Sequence, residues 1–370
     1  MRIVLIVIIA LHGVIHLFGF LKAYDLSEFN AISQPISRSM GILWLLTFFL
    51  FVVTVLFLIG RSDYWQLTGL GGIILSQLLI INFWHDAKFG TIINLVVLVA
   101  IILAFSSFNF KNKVKGEIGD MFGNSKTNSQ TLLSEEMLEG LPLIVQKWLM
   151  NNGAIGKAMV YNVYLEQDIQ MLMKPEQKQW TNAQACQYFT LNPPAFNWSV
   201  DLQMNPLLSV VGRDKFEKGE GEMTIKLWSL FSIVNTKKED KINQASLQRY
   251  LAELVWFPSF VVSPYLTWET VDNYSAKATM EYKGTKGSGI FHFDERGDFK
   301  KFVAMRYKDA SDTFPTEWTV SAIKTEERNG IRIPVASKAE WKLAHGNWTW
   351  LKLEITDIKY NVREMPLVLD

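Results

Sequence analysis

The chain has 370 residues, enough for two structural units, and 49% of them are apolar. Its net charge of +1 argues against a nucleic-acid binder, which would be basic. Cys186 is the only cysteine, which excludes an internal disulfide and an all-cysteine metal site.

Four apolar runs stand in series at Ile3–Phe20, Met40–Gly60, Tyr64–Trp84 and Phe89–Phe108, and none contains Lys, Arg, Asp or Glu. The charges after Arg2 fall in the gaps: Lys22, Asp25, Glu28, Arg38, Arg61, Asp63, Asp86 and Lys88. About 20 apolar residues suffice for a helix to cross a hydrocarbon core of roughly 30 Å, and a helix satisfies its own backbone groups there. The spacing therefore predicts a four-helix transmembrane block over residues 1–110. The first run is expected to be retained, because Leu21-Lys22-Ala23-Tyr24 is a poor cleavage site and His12 and His16 interrupt its apolar core. Gly13 and Gly19 would let a neighbouring helix approach. Arg61-Ser62-Asp63 is too short to do anything but join antiparallel neighbours. Five basic residues (Arg2, Arg61, Lys111, Lys113, Lys115) would lie on the N-terminal side against three (Lys22, Arg38, Lys88) opposite. That bias favours both ends of the block in the cytoplasm.

Residues 111–130 are expected as a linker, because Gly123–Gln130 has almost nothing to bury. A soluble domain, 131–370, follows. Leu138, Leu141, Val145, Trp148 and Leu149 repeat at helical spacing, with a break at Gly140 and Pro142. About ten strand candidates come next, separated by turn signals such as Pro193-Pro194 and Asn329-Gly330. They begin near Val160, and one of them spans Leu207–Lys215. One helix interrupts them, capped by Asp240 and carrying Leu247, Tyr250, Leu251 and Leu254 on one face. The domain reads as α+β: a large curled antiparallel sheet, an incomplete barrel, with a few helices.

Two groups of residues could carry chemistry. His12 and His16 share a helix face, and His85, Asp86 and Lys88 close the third gap. The histidines would hydrogen-bond to Ser76, Gln77 or Asn94, or else ligate a haem or metal or handle protons; the first reading is preferred and no cofactor is expected. Asp86 and Lys88 beside Trp84 read as a charged loop with an interfacial anchor. In the soluble domain Arg213-Asp214, Arg249 with Glu253, Asp272 and Arg306 are candidates for a buried polar set, and Arg249 and Glu253 are spaced for a helix ion pair. Trp228, Trp256 and Trp268 belong to an aromatic set that would fill the concave side of a curled sheet or line a cavity for an apolar ligand. An enzymatic reading through Arg249, Glu253 and Asp272 has no motif behind it: nucleophile-elbow, phosphate-loop, zinc-protease and dinucleotide fingerprints are all missing from the sequence.

The stretches Gly13–Ala23, Gln34–Trp44 and Asp86–Asn94 resemble a bacterial membrane family described only as a domain of unknown function. So do Arg249–Glu253 with Trp256 and Pro258, Trp268-Glu269 with Asp272, Phe293–Gly297, and Gly330–Pro334 before Trp341. The resemblance implies N-terminal transmembrane helices, a C-terminal β-rich domain and a place in the bacterial inner membrane, and it brings no activity. The strand order is more distantly similar to lipoprotein-carrier (LolA/LolB-like) domains, whose incomplete barrel holds acyl chains. That analogy pulls against the charge count, because those carriers work outside the cytoplasm. The leading expectation is a non-enzymatic membrane protein whose β-rich domain binds a lipid or other hydrophobic ligand, with Arg213 or Arg306 meeting a headgroup. Its partners would be membrane lipids and possible membrane proteins rather than nucleic acid. The alternative is a membrane redox or proton-handling unit built on the histidines, with the β-domain regulatory.

Overall fold

A computed structural model describes residues 2–27, 32–125, 131–205, 208–237 and 239–363. The chain separates into two units, Met1–Phe110 and Lys111–Asp370. The first contains α1 (Arg2–Ala23), α2 (Arg38–Ile59), α3 (Trp65–Asn82), the short α4 (Trp84–Ala87) and the start of α5 (Gly90–Gly123). Helices α1, α2, α3 and α5 are each long and apolar enough to cross a membrane. Ser37 caps α2 by accepting from the Met40 amide. A stripe of α1 (Ile9, His12, Gly13, His16, Gly19, Ala23) is buried, and the glycines allow close approach: a side chain at Gly19 would run into the Trp44 ring, and one at Gly13 would meet Phe51 at 3.0 Å.

The expected linker is partly helix. Residues 111–123 form the end of α5, where Val114, Ile118 and Met121 are buried; an apolar residue at every third or fourth position gives this polar stretch a face to bury. Asn124 and Ser125 follow the helix, and the remainder of the expected linker, 126–130, lies outside the described residues, as does Leu207.

The second unit is built on one sheet of thirteen strands rather than about ten. They are β1 (Asn162–Met171), β2 (Thr181–Leu191), β3 (Pro194–Asn205), β4 (Leu208–Glu217), β5 (Glu220–Leu227), β6 (Phe231–Lys237), β7 (Leu266–Asp272), β8 (Ser275–Tyr282), β9 (Thr285–Phe293), β10 (Phe299–Arg306), β11 (Thr316–Arg328), β12 (Ile331–Leu343) and β13 (Gly346–Tyr360). The spatial order is β6-β5-β4-β3-β2-β1-β13-β12-β11-β10-β9-β8-β7, antiparallel throughout, so two meanders are joined by the pairing of the first strand with the last. Tight turns connect several of the hairpins, among them β4–β5, β8–β9 and β11–β12. At Asn329-Gly330 both residues have positive φ (54° and 76°), as a two-residue type I′ turn requires.

Helix α6 (Leu143–Asn151) and α7 (Asp240–Glu253) pack on the concave side of the sheet. Asp240 is the first residue of α7 rather than its cap; the cap position is Glu239, whose side chain makes no capping bond. α7 packs against β4 and β5 from one meander and β8, β9 and β10 from the other. Gln248 Nε2 donates to the Ser288 and Met305 carbonyls, and Asn243 Oδ1 accepts from the Gly221 amide. The sheet therefore curls until its two ends reach the same helix. Thr285 Oγ1 in one meander donates to the Gly219 carbonyl in the other at 2.6 Å. No pairing joins β6 to β7 among the described residues, so the barrel stays incomplete. Tyr250, Leu251, Trp256 and Phe257 pack with Phe189, Phe196 and Phe216 in the core below.

Candidate functional site

Alternate residues of a strand point to opposite sides, and the concave side of this sheet is not filled completely. A cavity of about 350 Å³ lies there, toward the lower end of the roughly 300–1,000 Å³ usual for ligand pockets. Its apolar wall includes Ile169, Met171, Leu202, Ile225, Leu351 and Leu353. Six tryptophans, Trp198, Trp256, Trp318, Trp341, Trp348 and Trp350, border it.

The polar part is built from α7 and β4. Arg249 donates to Asp214 Oδ2 at 2.7 Å and to Glu253 Oε1 at 2.9 Å. Its guanidinium also lies over the rings of Phe196 and Trp198, at 5.1 and 4.9 Å. Gln187 Nε2 donates to the second Glu253 oxygen at 2.8 Å. Burial raises the Glu253 carboxyl, and Arg249 only partly offsets it. Burial works against the charge on Arg249, but Glu253 and Asp214 outweigh it and hold that guanidinium up. Arg306, the last residue of β10, donates from Nε to the Ala245 carbonyl at 2.9 Å and stacks on Trp318, 4.6 Å from the ring centre. Burial pulls it down to about 10, so it is still charged at neutral pH.

Of the residues singled out in this domain from the sequence, Asp214, Arg249, Glu253, Trp256 and Arg306 come together here. Arg213 borders the cavity, but its guanidinium serves the opposite face of β4. It is 2% exposed and bridges Glu222 at 3.0 Å and Glu117, near the end of α5, at 3.2 Å. An arginine held by two carboxylates there is not a headgroup ligand for the concave side. Trp228 and Trp268 do not line the cavity. Trp228 sits in the turn after β5 against Phe231, and Trp268 packs on Phe291 and donates to the Val261 carbonyl. Asp272 accepts from the Tyr274 amide in the β7–β8 turn, away from Arg249 and Glu253. Lys308 and Gln167 were not foreseen. For Lys308 the signal was available, since it follows Arg306 by two residues and extended chain puts both on one side.

In the helical unit the histidines are tied into a chain of hydrogen bonds. His16 Nδ1 donates to the His12 carbonyl at 2.9 Å, which leaves Nε2 to accept from Ser76 Oγ at 3.0 Å. His12 Nε2 lies 3.2 Å from Ser76 Oγ and 3.0 Å from Asn94 Oδ1, and Asn94 Nδ2 donates to Gln77 Oε1 at 3.0 Å. These are the partners read from the sequence. Asp86 accepts from the Ser33 amide and hydroxyl, both at 2.8 Å, and from His85 at 3.1 Å. The bonds from His85 and then Ser33 hold its carboxyl down to about 2. Its role is to fasten the segment before α2 to α4. Lys88 lies over the Phe89 ring. Among the described residues no cluster of three metal-ligating side chains occurs.

The crystal structure of a LolA superfamily protein from Nitrosomonas europaea is similar over 60% of this chain and 93% of its own, with 11% identity and a TM-score of 0.33. No curated protein matches. A family model described as a family of unknown function, DUF6920, matches residues 139–360, and the chain belongs to that family.

Proposed function

We propose that this protein is a multi-pass protein of the bacterial plasma membrane whose β-domain binds a lipid or another hydrophobic ligand. The charge bias across the apolar helices, counted with Lys111, Lys113 and Lys115 just after the last apolar run, supports placing both ends of the helical block in the cytoplasm. One observation carries the ligand reading: the concave side of the sheet holds a cavity whose wall is aliphatic and aromatic, where close packing would be expected in a purely structural core. An apolar molecule gains there by leaving water, and the few polar groups at the α7 side would orient it.

The test uses the full-length protein, recovered from carbonate-washed membranes and released into mild detergent. Native mass spectrometry should find one hydrophobic molecule retained per chain. Val320→Trp adds bulk at a half-buried wall position. It should lower retention by about tenfold, the effect of ~1.4 kcal/mol, with the unfolding temperature unchanged. Equal retention in both proteins would sink the reading, and release of the chain by carbonate would sink its membrane part.

A further inference from the structure

The charges around the cavity are not evenly matched. Asp214 and Glu253 are both held by Arg249, Lys338 pairs with Glu340, and Arg213 is turned to the other face. Arg306 and Lys308 are different: neither is in a salt bridge among the described residues, and both lie over the same Trp341 ring at 5.7 Å. Among the described residues Lys308 Nζ donates to Thr316 Oγ1 alone, at 2.9 Å, and the Arg306 guanidinium to the Ala245 carbonyl alone. The Asp214 and Glu253 carboxylates favour the Arg306 charge from a distance and Arg249 opposes it, Lys308 is exposed, and stacking on tryptophan supports both cations. A second observation points the same way. Gln167 Nε2 and Trp318 Nε1 are buried N–H donors with no partner among the described residues, and both residues line the cavity. They are 2% and 4% exposed. Buried donors are nearly always paired, so a group rich in acceptor oxygens is the missing complement.

We propose that the cavity takes an anionic amphiphile, with its carboxylate or phosphate held by Arg306 and Lys308 and its hydrocarbon chain laid on the aliphatic wall. This rests on the hydrophobic-ligand reading and narrows it to acids. An arginine fork meets two oxygens of either group, and the ammonium of Lys308 adds a point charge.

The experiment offers delipidated full-length protein equal concentrations of oleate, oleoyl lysophosphatidate and monoolein, and reads uptake by native mass spectrometry. At least one acid should bind about tenfold more than monoolein, the worth of one charge-assisted hydrogen bond. Which acid wins separates a free carboxylate from a lipid phosphate. Arg306→Met should abolish the excess of acid over monoolein, and Arg306→Lys should keep part of it. Should Arg306→Met fail to fold, Lys308→Met, at an exposed position, decides: the excess should fall several-fold. Equal uptake of acid and monoolein, or an excess that survives these changes, overturns the proposal and leaves the hydrophobic-ligand reading in place. Failure to take up any of the three overturns both.

Discussion

His292 on β9 places Nδ1 2.9 Å from Ser275 Oγ on β8. Burial, reinforced by Lys301, holds its imidazole below the ordinary value of 6.5, and Asp272 only partly counters this. The unfolded chain therefore binds the proton more readily than the folded one. The stability involved is complete above 6.5 and is lost as the pH falls toward the lower folded value. Lowering the pH from about 7 to about 5 should reduce the unfolding temperature of the wild type more than that of His292→Asn. Parallel curves for the two proteins would refute the assignment. Single residues were unevenly legible in the sequence. The pairing of Arg249 with Glu253 follows from helix spacing alone. The side taken by Arg213 does not, because β4 mixes polarity on both faces: Asp214 and Phe216 turn inward, while Val211 and Arg213 turn outward. Only the partners Glu117 and Glu222, from other elements, decide which face is which.

α7 owes its position to two glycines on opposite meanders. A side chain at Gly221 would strike Ser246 Oγ and come within 2.7 Å of the Ile242 carbonyl, and one at Gly287 would come within 2.8 Å of Gln248. The carbonyl belongs to the helix backbone and cannot rotate away. Gly221→Ala should therefore cost about 1–3 kcal/mol, as overpacking does, or roughly 2–4 °C in unfolding temperature for each kcal/mol. An unchanged melting curve would show that α7 can shift freely, contrary to this account. At this scale the sequence was legible where periodicity is strong, as in the apolar helices and in α7 itself. It was poor at the sheet edges. The edge strand β6 leaves little signal because it is paired on one side only and Phe231–Lys237 is largely exposed, so no sustained apolar alternation marks it. The end of α5 was read as linker because its buried residues are spaced among charges.

Across the whole molecule, the division into an apolar helical unit and a β-rich unit can be read directly from composition, whereas the cavity cannot. Its lining comes from β1, β3, β4, β5, β10, β11, β12, β13 and α7, and no local pattern records that such distant segments share one concave side. The β1–β13 seam has a consequence for how the domain forms. Every other strand pair joins neighbours in the chain, whereas Val163 pairs with Tyr360, and the Tyr161 amide reaches Asn361 Oδ1, 200 residues away. The hairpins of each meander can zip locally, but the seam has to wait for a long loop to close. When the full chain refolds from urea in detergent, pulse-labelled exchange should find the β1 amides facing β13 protected after those of the β11–β12 hairpin; simultaneous protection would contradict this order. Until the seam closes, β1 and β13 each expose an unsatisfied edge to any strand they meet. The ribosome releases β13 last, so the β-rich domain spends its synthesis with an open flank at its centre.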